Sequence, residues 1–579
     1  MFNQLITIFL LPSLMVSAAA MECGSPYIPI YDIQSDQRLS PLLGQQLETE
    51  GVITRLMESG FWIQTPDEQQ DNNQQTSEGL FISDATHPVK RLSSGQLVRL
   101  AGRVTEVHQV TQLNDIQQII TCGSAILPTP QKIQLPLTSK KSWEKYEGMR
   151  IELLGEKPNG AVAVVSGFNS RSHGDSKLVL SHQLHYQPTQ VAIPGSSEAK
   201  RLHKDWLQDR LLLTGFTPKE PIRIGDQFQH LTGIVHSYAK KNQKGKVWPG
   251  LYMDGYKLIE SKRPEPPVYD KQTELVVVSF NLNNYFNGKR TVYGTSFKGS
   301  RGAKSIPGFE QQSHRIEQAI LALNADILVL NEIENDGYQD SSALQFLINQ
   351  LNQQQDRKLM YRAVNAGYMG TDLIRSAIIY RPHKVTGVGE ASVLNKSTSS
   401  VDGQGKALFD DYGNRPVIIQ KFRYQHVSLA IAAVHLKSKG SSCKETKKQR
   451  NFGGRCNMKR SRAAMAIVEK MLDFRDTDIQ LVLGDFNAYK LEQPLRIFYR
   501  QGWENAADLS ASEQYSYRFR GRLGSLDHIL YQINSQSIHG FKPQRFFSWN
   551  INSTEGKQTG LVPYLRSSDH DPQVLTLGF

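Results

Sequence analysis

The stretch Ile479–Ala488, IQLVLGDFNA, is an apolar run closed by a glycine and followed by an acid, an aromatic and a carboxamide. Such a run reads as a strand buried on both faces. Side chains two positions apart on an extended chain face the same way. Asp485 and Asn487 are therefore expected to aim a carboxylate and a carboxamide at one point, at the end of a buried strand.

Outward from this stretch, apolar strands alternate with helical periodicity. "ELVVVSFNL" reads as a buried strand, "SHRIEQAILALNA" as a helix, and "DILVLNEIE" as the next strand. "SALQFLINQLNQQ" is helical, and "RSAIIYRP", "PVIIQKFRY" and "VSLAIAAVHLKS" are strands. "KRSRAAMAIVEKMLDF" is a helix that leads into IQLVLGDFNA. This alternation predicts a layered α/β domain of about 300 residues over 269–579.

Several strands of this domain end in oxygen- or nitrogen-bearing residues. They are Asn281 in "SFNLNN", Glu332 in "VLNEIE", His435 in "AVHLKSK", Asp485 and Asn487, Asp527 in "SLDHIL", and Asp569 with His570 in "SSDHDP". Any one of these alone is an ordinary turn former or a structural histidine. Six segments of one domain ending in this way point to a shared site.

The first half is organised differently. Tyr31–Ala125 alternates apolar and polar positions, as in "EGVITRL", "GFWIQ", "GLFIS" and "GQLVRLAGRV". That pattern predicts a small antiparallel barrel, with its boundaries at 21–127. Its Gln/Asn-rich insertion, "PDEQQDNNQQTSEG", is expected to be a floppy loop. Residues 128–268 form a second β-rich segment, closed by the proline-rich linker "SKRPEPPVYDKQ". Residues 1–20 combine the apolar run Leu5–Val16 with small residues, and predict a secretory signal peptide.

The four cysteines, Cys23, Cys122, Cys443 and Cys456, allow three pairings. Cys23–Cys122 and Cys443–Cys456 are favoured, because each pair lies in one segment. Their spacings are wrong for a zinc site built on C-x₂₋₄-C pairs. Two disulfides fit an exported protein. The net charge of +12 is concentrated from Thr273 onward, where 39 Lys and Arg face 28 Asp and Glu. Lys437–Arg462 alone holds ten basic residues against Glu445. This field favours a polyanionic partner.

Together these motifs resemble the endonuclease/exonuclease/phosphatase superfamily over nearly all of 273–579. The segments, including "GTDLIR…YRP", "HLKSK", "GDFN" and "SDHDP", come in that family's order. The branch it resembles is that of bacterial extracellular nucleases of the ExeM/NucH type, in which an OB-like module precedes the catalytic domain. The resemblance implies a four-layered α/β sandwich (DNase I-like) behind β-rich OB-like domains. It implies Glu332, Asn281 and Asp569 at a metal site, and His435, Asp485, Asn487, Asp527 and His570 as catalytic residues. On this reading Asp569 holds His570 as it takes a proton from water, Asp527 orients a histidine or ligates the metal, His435 serves the leaving-group side, and Asn487 donates to a phosphate oxygen.

Arg415 and Asp372 are expected at the phosphate, and Lys437, Lys439, Arg455 and Arg460 along the nucleic acid, with Phe452 as a stacking residue. A hard-oxygen ligand set of this kind fits Mg²⁺, with Mn²⁺ as substitute and Ca²⁺ as a further structural ion. The expected partner is DNA, double- or single-stranded, with RNA as an alternative, and no stable membrane association; the chain is expected to be a secreted monomer. Two other readings stay open. One is a sphingomyelinase or phospholipase C of the same superfamily, for which "RFFSWNIN" at Arg545–Asn552 is the candidate apolar hairpin. The other is a nucleic-acid-binding protein without catalysis.

Overall fold

The computed structural model describes residues 21–84, 92–137, 139–155, 160–169, 176–216, 222–239, 247–291, 294–367, 369–446, 453–537, 540–555 and 562–579. The expected signal peptide and Phe452 lie outside the described residues. The chain forms two compact units. One is Met1–Leu153 with His230–Tyr256; the other is Leu154–Gln229 with Lys257–Phe579. The second β-rich segment is thus divided between them.

In the first unit, strands Gln46–Met57, Gly60–Gln64, Gly79–Ser83, Gln96–Val107 and Val110–Ser124 close into a barrel. Alternate residues, among them Ile53, Phe61, Ile63, Leu80, Ile82, Leu100 and Leu113, fill it. The barrel is not wholly antiparallel. Gly79–Ser83 pairs parallel with Val110–Ser124, Phe81 opposite Gln112, because strand Gln96–Val107 lies between them in the chain. Closure leaves the barrel without a free edge. The Gln/Asn-rich insertion is held by its own side chains. The Asp71 carboxylate accepts from Asn73 N at 2.7 Å and Thr76 Oγ1 at 2.8 Å, and Glu78 Oε1 accepts from Asp71 N at 3.0 Å. Asx turns of this kind give a polar loop local order that its composition does not reveal. Cys23–Cys122 ties the residues before the barrel to its last strand.

The second unit contains two six-stranded sheets. Their strands are β1 Leu275–Tyr285, β2 Ile327–Glu334, β3 Arg362–Ala363, β4 Ile374–Tyr380, β5 Thr386–Leu394, β6 Val417–Tyr424, β7 Val427–His435, β8 Ile479–Asp485, β9 Glu504–Asn505, β10 Asp527–Ile533, β11 Lys542–Ser548 and β12 Gln573–Gly578. One sheet has the order β3-β4-β2-β1-β12-β11, the other β5-β6-β7-β8-β10-β9. The strands alternate between two apolar cores. Leu275, Val277, Val329, Ile431, Leu481 and Leu483 meet between the sheets.

The opposite faces are covered by helices. Val276, Val278 and Phe280 pack against helices α1 Ile306–Leu323 and α2 Ala343–Gln353. Ala432, Val434 and Val482 pack against α3 Asn457–Met471 and α4 Gln493–Arg500. The result is the expected four-layered sandwich, helix on sheet on sheet on helix. Each fully buried aliphatic side chain contributes about 1.5–3 kcal/mol, so three continuous cores hold the strand ends in register.

Residues 154–229 add a flank to this unit. Strands Val162–Asn169, Ser176–Ser181 and Leu211–Phe216 run antiparallel side by side, with helix Ser197–Asp209 before the last. The short strand His185–Tyr186 pairs parallel with Arg522–Gly524. A buried ion pair, Arg223 with Glu555 at 2.5 Å, fastens the flank to the segment before "SSDHDP". Among the described residues no helix is long and apolar enough to cross a membrane.

Candidate active site

Strand register gathers the expected residues at one end of the sandwich. β7 and β8 run parallel with His435 beside Asp485. β10 runs antiparallel to β8, which sets Asp527 opposite Asp485. In the other sheet β1 and β2 run parallel with Asn281 beside Asn331, one residue before Glu332. β12 runs antiparallel to β1 and begins at Gln573, so Asp569 and His570 arrive at the same end.

Local backbone features aim the side chains. Glu332 has φ of 62°, in the left-handed region that a glutamate seldom occupies. The register with β4 shifts between Leu330 and Ile333 at this point. A bulge that re-aims one side chain is a recurrent feature beside active sites. Gly484 is required by close approach, since a Cβ there would lie 1.9 Å from the Val434 carbonyl oxygen. The sequence motif therefore needs its glycine for the β7–β8 contact.

Asp485 and Asn487 do not project side by side from an extended strand. Asn487 has φ of 49°, and its N–H donates to Asp485 Oδ1 at 2.7 Å, closing an Asx turn. The Asn487 amide donates to Asp485 Oδ2 at 3.1 Å and to Leu436 O at 3.1 Å. Both amide hydrogens are committed, so Asn487 positions Asp485 and does not offer a free donor to a phosphate. Asn281 Nδ2 donates to the same Asp485 Oδ2 at 3.2 Å.

His570 is also held differently from the expectation. Its Nδ1 lies 2.6 Å from Asp527 Oδ2, so Asp527 and not Asp569 is the carboxylate that orients the ring. Ser516 Oγ donates to Asp527 Oδ2 at 2.6 Å, and the Tyr517 ring lies 4.6 Å from that of His570. The β8–β10 register is what brings Asp527 under the imidazole, and adjacency in sequence gives Asp569 no such reach. Asp569 is half-buried and bears on Glu332 through its charge.

His435 is buried, with Nε2 at 3.5 Å from Asp485 Oδ2 and 4.0 Å from Glu332 Oε1. It sits within the carboxylate cluster. Burial drives its pKa well below the ordinary histidine value, and the nearby Arg415 and His570 push the same way. Both influences favour the neutral imidazole at His435. For His570, burial alone would lower the pKa, but Asp527 at hydrogen-bond distance, with Asp569 and Asp485, raises it well above the ordinary value. Burial and the facing Asp527 push Asp485 up to about 7. Burial also raises Glu332, partly offset by His570. Carboxylates that lift one another's pKa in a buried cluster call for a cation. Glu332, His435 and Asp485 offer ligand atoms within 4.8 Å of one another, as do Asp485, Asp527 and His570.

Residues that the sequence reading did not single out complete the site. Asn331 is fully buried and bridges the two sheets. It accepts from Asp485 N at 3.0 Å and donates to Val434 O at 3.0 Å and Ser376 Oγ at 2.9 Å. Asn284 Nδ2 donates to Glu332 Oε2 at 2.8 Å. Ser568 Oγ donates to Asn281 O at 2.6 Å. A polar Asn331 inside an otherwise apolar strand is the one signal that could have found it.

The basic residues divide. Arg415 and Arg301 flank Asp372, at 3.5 Å and 3.1 Å, and both act on His435 through their charge. Lys437 is half-buried and Arg455 exposed. Lys439 and Arg460, expected on the nucleic acid, are turned inward. Lys439 Nζ pairs with Glu492 and donates to Gly453 O at 2.7 Å. Arg460 donates to Lys437 O at 2.9 Å and Gly453 O at 2.6 Å. Both side chains thereby satisfy backbone carbonyls next to the Cys443–Cys456 disulfide, and such carbonyls need donors. Instead Arg518 stands beside Tyr517, its pKa lowered to about 10 by burial and by the nearby charge of Arg566. In "RFFSWNIN", Phe546, Trp549 and Ile551 are buried, so this stretch is no exposed apolar hairpin.

Residues 278–570, just over half of the chain, match the Endonuclease/Exonuclease/phosphatase family. No curated protein matches the chain. Solved structures similar to it include the human Nocturnin catalytic domain with bound sulfate anion, at 16% identity over 53% of this chain and 94% of that one, TM-score 0.34. D. rerio TDP2 complexed with single-strand DNA product matches at 13% identity over 53% and 99%, TM-score 0.33. A Bacteroides thetaiotaomicron mannosyl-6-phosphatase matches at 19% identity over 53% and 100%, TM-score 0.35. With its strand-end carboxylates and histidines in one cluster, the chain belongs to the endonuclease/exonuclease/phosphatase family.

Proposed function

We propose that this protein is a secreted, divalent-metal-dependent nuclease of the ExeM/NucH-like branch that hydrolyses phosphodiester bonds of DNA with little sequence specificity. The observation that carries the reading is the convergence of Glu332, His435, Asp485 and the Asp527–His570 pair at one end of the sandwich, within a rim of arginines. Two disulfides, Cys23–Cys122 and Cys443–Cys456, fit an oxidising compartment. The closed N-terminal barrel fits an OB-like module.

Glu332, with Asn281 and Asp569 beside it, would hold Mg²⁺, which supplies Lewis-acid polarisation of the phosphate and a water of lowered pKa. The chain's own residues do the remaining work. Protonated His570, fixed by Asp527, places positive charge against the phosphate where negative charge accumulates. Asp485, held by the amides of Asn487 and Asn281, is the carboxylate placed to accept a proton from the attacking water. Neutral His435 donates through an uncharged N–H and adds no charge to the cluster. Arg415, anchored through its backbone N–H to His435 O at 3.1 Å, and Arg301 bind the flanking phosphate oxygens. No side chain in this set reads base edges, so sequence-independent cleavage follows.

The test is incubation of the purified protein with closed circular plasmid, RNA and sphingomyelin vesicles, with Mg²⁺ or with chelator. Mg²⁺-dependent nicking of the plasmid, lost in His435→Ala, Asp485→Ala and His570→Ala folded variants, is the expected result. Release of choline phosphate without nicking would replace this reading with the phospholipase one.

A further inference from the structure

We infer that the flank of the second unit carries a separate transition-metal site, formed by His182, His185 and Asp209 and suited to Zn²⁺. His182 Nδ1 and His185 Nε2 each lie 2.6 Å from the same oxygen, Asp209 Oδ2. Ser181 Oγ also donates to that oxygen and lies 2.9 Å from His185 Nε2. Asp209 Oδ1 accepts a 3.4 Å contact from His182 N. The two imidazole rings stand nearly perpendicular, at 81°, so they meet the carboxylate from different directions. The side chains are 10%, 9% and 2% exposed, so a bound ion would be shielded from solvent.

Three donor atoms crowd one carboxylate oxygen, which has lone pairs for about two good hydrogen bonds. A shared cation accounts for that convergence better than hydrogen bonding does. Zinc ligands at ~2.0–2.1 Å in a tetrahedron stand ~3.3 Å apart, so small side-chain rotations would open the cluster around an ion. Two nitrogens and one carboxylate make a ligand set for Zn²⁺; Mg²⁺ and Ca²⁺ prefer oxygen. The active-site cluster is richer in carboxylates, so the two sites discriminate between metals.

The site's position gives it a structural task. Ser181 closes strand Ser176–Ser181, Asp209 closes helix Ser197–Asp209, and His185 opens the short strand paired with Arg522–Gly524. An ion would fasten all three. The residues that follow clamp the hairpin carrying Tyr517. Gln187 Nε2 donates to Phe519 O at 2.8 Å, and Gln190 Oε1 accepts from Ser525 N at 3.0 Å, two residues before Asp527.

The test uses the full-length protein, stripped with chelator and returned to excess Mg²⁺ so that the carboxylate-rich site is filled. One equivalent of Co²⁺ should then give the visible d–d absorption of a tetrahedral site. One equivalent of Zn²⁺ should displace it and survive gel filtration. The signal should persist in His435→Ala and disappear in His182→Ala and Asp209→Asn. Should those variants fail to fold, anomalous diffraction of the wild-type protein at the zinc edge decides, with a peak expected among the three side chains. Absence of a Co²⁺ spectrum in the wild type, or a spectrum lost in His435→Ala and kept in His182→Ala, overturns the site.

Discussion

Asn331→Leu tests whether the two sheets are locked together beneath the catalytic cluster by one buried amide. Leucine fills a similar volume, so the change removes hydrogen bonds and leaves little cavity. Asp485 N–H loses its acceptor, and Val434 O and Ser376 Oγ each lose a donor. An orphaned buried donor costs about 1–3 kcal/mol, and the two under-satisfied oxygens bring the total to about 2–5 kcal/mol. For a domain of this size that corresponds to a drop in Tm of roughly 5–15 °C. Activity should suffer separately, because Asp485 is held by that N–H. Misplacement of a reacting group by 1 Å can cost about 10²-fold in rate. The assay is urea unfolding alongside kcat and KM on plasmid DNA in the folded range. Unfolding free energy within about 0.5 kcal/mol of wild type, with kcat unchanged, would refute the bridging role.

Other expectations follow from the same geometry. Asp527 raises the His570 pKa, so in metal-free protein that contribution to stability is complete below about pH 6.5 and lost as pH rises through the folded-state value. In Asp527→Asn burial prevails, and the fall in stability above about pH 6.5 should vanish; an unchanged slope in chelator would disprove the pairing. Arg518→Ala with Arg566→Ala should flatten the dependence of log affinity for DNA on log salt by about 2, whereas Lys439→Ala should lower Tm and leave that slope alone. Gly484→Ala should destabilise by on the order of 4 kcal/mol or prevent soluble expression, because its Cβ would meet Val434 O; soluble protein with an unshifted Tm would show that β7 and β8 are not so close.

Much of the site was legible because strand ends are legible. A buried strand followed by a polar residue can be read locally, and Glu332, His435, Asp485, Asp527 and His570 each ended or adjoined such a run. Their shared location then followed from the alternation of strands and helices. The roles were harder to read. Asp569 is the nearest acid to His570 in sequence, yet Asp527, 43 positions away, supplies the hydrogen bond. Lys439 and Arg460 belong to a basic run that reads as a solvated, substrate-facing loop, and both turn inward to satisfy carbonyls. Asn331 was hidden beside Glu332, because a polar residue in a buried strand looks like an irregularity until its partners in the other sheet are known.

The sequence by itself determined the layered α/β class and the set of side chains able to serve a phosphoester site, and it favoured one of three cysteine pairings. Those properties are local or nearly so: hydrophobic period, small-residue turns, and the chemistry of each side chain. Only the tertiary structure decided which acid faces which histidine, which cations reach solvent, and that His182, His185 and Asp209 meet. Pairings of that kind depend on strand register and on burial, and both are set by contacts between residues tens to hundreds of positions apart.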